Sequence, residues 1–204
     1  MKYVVLGSSA AGVNGIRELR KLDKDCEIVL ISKDEAIYSR CILHEYLCGK
    51  RDLKRLCFVE DNFADLYKVN WIKGKAVTGL NREEKYVILE DGQQVSYDKL
   101  LIATGSHSFI PPIKNLREAK NVIGFRNIDD IEVLKEVAKT CKNIIVMGSG
   151  LVGIVCTTGF LELGVKVTLV DMAGWLLNRQ LDEEAANTYK KAFADRGIAQ
   201  YYGV

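Results

Sequence analysis

Two short glycine runs are the residues of this chain best suited to chemistry. The cleaner is Gly148-Ser149-Gly150-Leu151-Val152-Gly153, a G-x-G-x-x-G placed after the apolar run 143–147 and before a helical stretch. The first glycine of such a run permits a tight turn, the second lets the backbone approach a pyrophosphate, and the third lets helix and strand pack closely. The start of the helix then presents unpaired N–H groups and a partial positive charge to the phosphates. Asp171 closes the next strand, eighteen positions beyond Gly153. A carboxylate there accepts hydrogen bonds from a ribose 2′-hydroxyl and repels a 2′-phosphate. The run therefore predicts a dinucleotide held by Gly148, Gly150, Leu151, Val152 and Asp171, with NADH favoured over NADPH. A tight strand-to-helix turn without a ligand is the alternative reading of the same glycines.

The second run, Gly7-Ser8-Ser9-Ala10-Ala11-Gly12, matches except that Ser9 replaces the middle glycine. Serine is small and offers a hydroxyl to a phosphate, but it narrows the backbone approach. No acid closes the strand that follows. Ser32 stands at that place, with Asp34 and Glu35 just beyond. Taken alone, this turn leaves nucleotide binding open.

The elements that must position these turns follow from periodicity. Residues 2–6 and 27–32 read as buried parallel strands, joined by a helix whose apolar residues are Val13, Ile16, Leu19 and Leu22. Strand, helix and strand in about 30 residues make one right-handed βαβ unit. Short helical pieces are expected at 42–47, 52–56 and 62–67. Residues 71–80, 86–90 and 94–96 read as three strands, with Asp91-Gly92 as a hairpin turn. Residues 99–103 read as another buried strand, and Pro111-Pro112 marks a break. Thereafter the pattern repeats. A helix capped by Asn127 runs along Ile128, Ile131, Leu134 and Val137; a strand follows at 143–148, a helix at 151–163 closed by Gly164, and a strand at 166–171. A polar helix over 182–195 and a strand over 198–202 finish the chain. The fold class is α/β, with two Rossmann-like βαβ dinucleotide-binding domains. The first, 1–110, carries an inserted β-meander, and the second, 111–204, is incomplete.

Bulk properties exclude several other classes. Among 204 residues, 48% are hydrophobic and 27% charged, the balance of a globular protein, and a net charge of +2 gives no reason to expect nucleic acid or an anionic membrane as partner. No apolar run approaches the roughly 18 residues that span a bilayer. The apolar N-terminus is too short for a signal-peptide core, so the expected compartment is the cytoplasm. None of the six cysteines forms a C-x-x-C pair, and with His44 and His107 as the only histidines no metal site is expected. Most of the cysteines are expected to be reduced thiols, several of them buried.

Two such turns, with a meander and Ala103-Thr104-Gly105 between them, resemble the FAD-dependent pyridine nucleotide-disulfide oxidoreductase family over essentially the whole chain. The resemblance implies FAD on the first turn, at Gly7, Ser9, Ala10, Ala11, Gly12 and Ser32, and NADH on the second. Residues 101–106 look like the family's A-T-G segment near FAD, Val77 like the strand residue that touches the adenine, and Asp182 like part of a recurring segment after the NADH-site strand. Tyr38-Ser39-Arg40, followed by Gly49-Lys50, is similar to the nitrite reductase and rubredoxin reductase branch, in which the arginine lies near the flavin. The next residue there is usually proline. Here it is Cys41, at the spacing of the redox cysteine in the NADH oxidase and coenzyme A-disulfide reductase branch. A thiol at a helix start beside Arg40 suits electron exchange with a flavin; a small residue tolerated in place of proline is the other reading. Cys48 is expected to be structural.

The sequence also departs from the family. Val155 stands where glutamate is usual, and Thr157, Thr158 and Gly159 replace an alanine-rich helix face. The implied activity is transfer of a hydride from NADH to FAD and on to an electron acceptor, either a small molecule or a small redox carrier protein. Members of the family are longer and usually dimeric. A non-catalytic fragment and a nucleotide-sensing module are the competing functions.

Overall fold

The computed structural model describes residues 1–204. In chain order the elements are β1 (Lys2–Leu6), α1 (Ala10–Leu22), β2 (Glu27–Ser32), a 3-10 turn (Arg40–Ile42), α2 (Leu43–Leu47), α3 (Leu53–Leu56), α4 (Phe63–Leu66) and β3 (Val69–Lys73). The meander β4 (Val77–Asn81), β5 (Tyr86–Leu89) and β6 (Gln94–Ser96) follows, then β7 (Lys99–Ile102). The remainder is α5 (Ile128–Thr140), β8 (Asn143–Met147), α6 (Leu151–Glu162), β9 (Lys166–Asp171), α7 (Glu183–Ala194) and β10 (Ala199–Tyr202). They form two compact units, one of residues 1–39 and 57–107, the other of residues 40–56 and 108–204. Residues 40–56 thus join the second unit, although they lie within the first 110 residues of the chain.

The first unit is built on a parallel sheet of order β3-β2-β1-β7. Its strands are apolar at nearly every position because both faces are covered. Val5, Ile28 and Leu30 pack with Val13 and Ile16 of α1, and with Phe63 and Val69. The alternate residues Val4, Leu6, Val29 and Ile31 pack with Val87, Leu89 and Val95 of the meander. Arg20 ties the end of α1 to its surroundings: its guanidinium donates to the carbonyls of Lys24 and Cys26 at 2.9 Å, of Tyr67 at 2.9 Å and of Lys68 at 3.1 Å.

Three expectations are corrected in this unit. The run 71–80 is not one strand: it is divided at Gly74, whose φ of 65° turns the chain, so that β3 joins the parallel sheet and β4 the antiparallel meander. β7 is an edge strand, with Ile102 61% exposed, because an apolar run does not distinguish an edge from a centre. Leu22 is 85% exposed: each three-residue step falls about 60° short of a full helical turn, so nine residues carry the stripe to the opposite face.

The second unit has a parallel sheet of order β10-β9-β8. The Asn127 cap expected at the start of α5 is present, and Asp130 completes a capping box with it. Asn127 Oδ1 accepts the Asp130 N–H at 2.8 Å, and Asp130 Oδ2 accepts the Asn127 N–H at 3.2 Å. Gly164, with φ 73°, turns the chain just beyond the Leu163 cap of α6. The short helix α2 packs on α5 and α6. Gly159 makes that crossing close, since a Cβ there would stand 3.2 Å from the His44 carbonyl oxygen and from Leu47 Cδ2. No helix is long and apolar enough to cross a membrane.

Candidate dinucleotide sites

The two glycine turns have the same internal geometry. Gly7 and Gly148 take φ of 103° and 101°, in the left-handed region that glycine tolerates. The Gly7 N–H donates to the Ile31 carbonyl and the Gly148 N–H to the Val170 carbonyl, both at 2.8 Å. A Cβ on Gly12 would stand 1.9 Å from the Gly7 carbonyl oxygen, and a Cβ on Gly153 would stand 1.8 Å from that of Gly148. The third glycine of each run is therefore required by the contact between helix and turn. The middle position is different. Ser9 and Gly150 are both extended, with φ −96° and −75°, so serine fits there without backbone strain.

The helix starts behind the turns are shaped for an anion. α1 and α6 have no side-chain cap and no acid in their first turns. α5 and α7, of the same length class, are both side-chain capped and carry two acids each in the first turn. Open N–H groups without a nearby carboxylate leave the positive end of the helix dipole free for phosphate. The second turn is also open in front, for a Cβ on Gly148 or Gly150 would meet nothing within 4 Å. Exposed Leu151 and Val152 flank it. These observations fit a pyrophosphate on either turn.

Asp171 stands beside the second turn, as expected. Its Oδ2 accepts the Ser149 N–H and hydroxyl at 2.5 Å each, and its Oδ1 accepts the Ala173 N–H at 2.9 Å. Partial burial works to raise the carboxyl's pKa, but the hydrogen bonds from Ala173 and Ser149 outweigh it and hold the group below the usual carboxylate range. A cavity of about 480 Å³ lies here, lined by Gly150, Asp171, Met172, Ala173, Asn178, Arg179 and Gln180. The sequence reading missed residues 178–180. Asp182 caps α7 by accepting the Ala185 N–H at 2.8 Å.

At the first turn, Ala103 and Thr104 are brought against Gly7, where a Cβ would stand 2.4 Å from the Ala103 carbonyl oxygen. Gly105 takes φ 74°. Ala10 and Ala11 open the exposed first turn of α1. Val77 packs with the meander-side core. Ser32 occupies the position equivalent to Asp171, but its hydroxyl donates to the Asp34 carbonyl at 2.6 Å and accepts the Trp71 indole N–H at 2.8 Å. Ser8 Oγ is buried without a hydrogen-bond partner.

Arg40 and Cys41 lie in the second unit. The Arg40 guanidinium donates to the Arg126 carbonyl at 3.3 Å, and Cys41 is exposed on the 3-10 turn before α2. All six cysteines are free thiols. Cys48 Sγ contacts the Glu45 carbonyl at 3.6 Å, and burial pushes the Cys156 thiol up to about 12. No cluster of three or more His, Cys, Asp or Glu side chains could hold a metal.

Comparison with known proteins gives one consistent picture. The family model described as pyridine nucleotide-disulphide oxidoreductase matches residues 1–204. The chain is 32% identical over 197 residues to the NADH-dependent phenylglyoxylate dehydrogenase subunit epsilon of Aromatoleum evansii, covering 96% of this chain and 47% of that protein. It is 31% identical over 214 residues to an NADH oxidase of Enterococcus faecalis, covering 97% and 46%. The water-forming NADH oxidase of Lactobacillus brevis, solved bound to NADH, superposes with a TM-score of 0.89 at 26% identity, covering 100% of this chain and 46% of that one. The chain spans about half the length of these relatives.

Proposed function

Because the chain belongs to the pyridine nucleotide-disulphide oxidoreductase family, we propose that it binds FAD on its first glycine turn and NADH on its second, as part of an oxidoreductase. The observation that carries this reading is the pair of uncapped, acid-free helix starts behind glycine turns of one geometry.

When bound, the flavin supplies the hydride acceptor and passes electrons on. The chain's own residues hold and orient. The N–H groups at the start of α1, with Gly7, Ser9, Ala10, Ala11 and Gly12, take the FAD pyrophosphate. Ser32, Val77 and residues 103–105 border the rest of the FAD site, and the resemblance adds Arg40 beside the flavin. Gly148, Gly150, Leu151 and Val152 take the NADH pyrophosphate. Asp171, ionised at neutral pH, receives the ribose 2′-hydroxyl and repels a 2′-phosphate, which selects NADH. By chain position, 1–110 serve FAD and 111–204 serve NADH, with residues 40–56 belonging to the second compact unit. The acceptor is a small molecule or a small redox carrier protein, the whole enzyme is a homodimer, and the compartment is the cytoplasm.

The test is anaerobic addition of NADH to purified protein loaded with FAD. The flavin absorbance near about 450 nm bleaches if the reading holds. Protein that takes up no FAD, or flavin that stays oxidised with NADH bound, refutes it. Exposure of Cys41 favours a second reading, in which electrons leave through that thiol. Cys41→Ser then abolishes turnover with disulfide or peroxide acceptors while flavin reduction survives, and equal turnover in both proteins removes the thiol from the mechanism.

A further inference from the structure

Ser149 commits each of its polar groups to the walls of the second turn. Its N–H and hydroxyl donate to Asp171 Oδ2, and its carbonyl accepts the Leu177 N–H at 2.9 Å. At 1% exposure, it makes these bonds without competition from solvent. The two segments that line the cavity, the end of β9 and residues 178–180, therefore meet on one residue. Leu177 takes φ 53°, a left-handed conformation that a non-glycine residue keeps only when its surroundings enforce it.

The first turn shows what this bonding is not for. By the matching hydrogen bonds of Gly7 and Gly148, Ser8 corresponds to Ser149 and Ser32 to Asp171. Ser8 has no partner and Ser32 bonds elsewhere, yet the turn has the same φ and the same contact with its third glycine. A glycine turn of this shape forms without the serine–acid bond. What remains for that bond to do is fix the carboxylate. Both lone-pair sites of Oδ2 are occupied by Ser149, whereas Oδ1 faces backbone N–H groups alone, Ala173 at 2.9 Å, and is the oxygen that Ser149 leaves free.

We propose that Ser149 is a positioning residue: its hydroxyl pins Asp171 Oδ2 to the glycine turn and so presents Oδ1 to the adenosine ribose 2′-hydroxyl of NADH. This role rests on the reading of the second turn as the NADH site.

The experiment is calorimetric titration of the full chain with NADH and with its analogue lacking the adenosine 2′-hydroxyl. Wild type binds NADH more tightly than the analogue. Ser149→Ala weakens NADH about tenfold and the analogue less than about twofold. Asp171→Ala abolishes the same preference, and adding Ser149→Ala to it costs nothing further. Equal losses for both ligands, no loss for either, or additive effects with Asp171→Ala overturn the role. Ser149→Gly deletes the same hydroxyl and replaces the alanine variant if that one does not fold. A wild type that binds neither ligand overturns the NADH assignment itself, and this role with it.

Discussion

Gly153→Ala tests the packing argument for the third glycine. The added Cβ would stand 1.8 Å from the Gly148 carbonyl oxygen and 2.9 Å from its carbon. Both are backbone atoms, so no rotamer change relieves the clash. The helix start must back away by about 1.5 Å to restore ordinary contact. Overpacking in a fixed environment costs about 1–3 kcal/mol, and an obstacle of main-chain atoms at a turn with φ 101° belongs at the upper end. For a chain of this size, about 3 kcal/mol lowers Tm by roughly 6–12 °C. Gly150→Ala is the matched control. Its Cβ meets nothing within 4 Å and its φ of −75° suits any residue. A poorer N-cap and a less flexible unfolded chain nearly offset each other, leaving stability within about 1 kcal/mol. NADH affinity falls even so, because the methyl stands where the pyrophosphate would rest. Circular dichroism melts and NADH titrations of both variants decide the matter. A Gly153→Ala protein that melts within about 2 °C of wild type refutes the reasoning.

Other consequences are equally direct. Asp171 has its folded pKa below the ordinary 3.8, so its carboxylate contributes stability that is present above that value and is lost as pH falls through the folded one; the stability gap between wild type and Asp171→Asn, measured by urea unfolding, therefore shrinks on acidification below about pH 4. Arg20→Ala removes the guanidinium donor from five backbone carbonyls and destabilises the first unit by about 2–4 kcal/mol, and Arg20→Lys recovers little of it because an ammonium cannot span the set; denaturant midpoints of the two variants check this. Iodoacetamide at pH 8 modifies exposed Cys41 in the native protein, whereas Cys156, buried and with its thiol raised to about 12, reacts only after unfolding; peptide mass spectrometry reads the order.

Much of this structure was legible in the sequence wherever a local requirement restricts residue type. Left-handed turns at Gly7 and Gly148, the helix contacts of Gly12 and Gly153, the Asn127 cap and the Asp91-Gly92 turn each demand particular residues. Asp171 was placed by its distance from the glycines. What the sequence withheld were relations between distant segments. The run 71–80 reads as one strand, although Gly74 sends its two halves to different sheets. Nothing local to residues 40–56 ties them to α5 and α6. The bond from Ser149 to Asp171 spans 22 positions, and a serine between two glycines carries no mark of so remote a partner. One signal was present but unread: acids and caps start α5 and α7 and are missing from α1 and α6.

Each parallel sheet ends on one side in a strand with oily side chains in water, Leu101 and Ile102 on β7 and Ile145 and Met147 on β8. A rim of unpaired main-chain groups flanked by such side chains accepts any extended peptide that comes alongside it. With a net charge of only +2 to keep molecules apart, association of these 204 residues at raised concentration is expected to begin at those two rims, and a lysine introduced on the outer strand of either sheet is expected to suppress it.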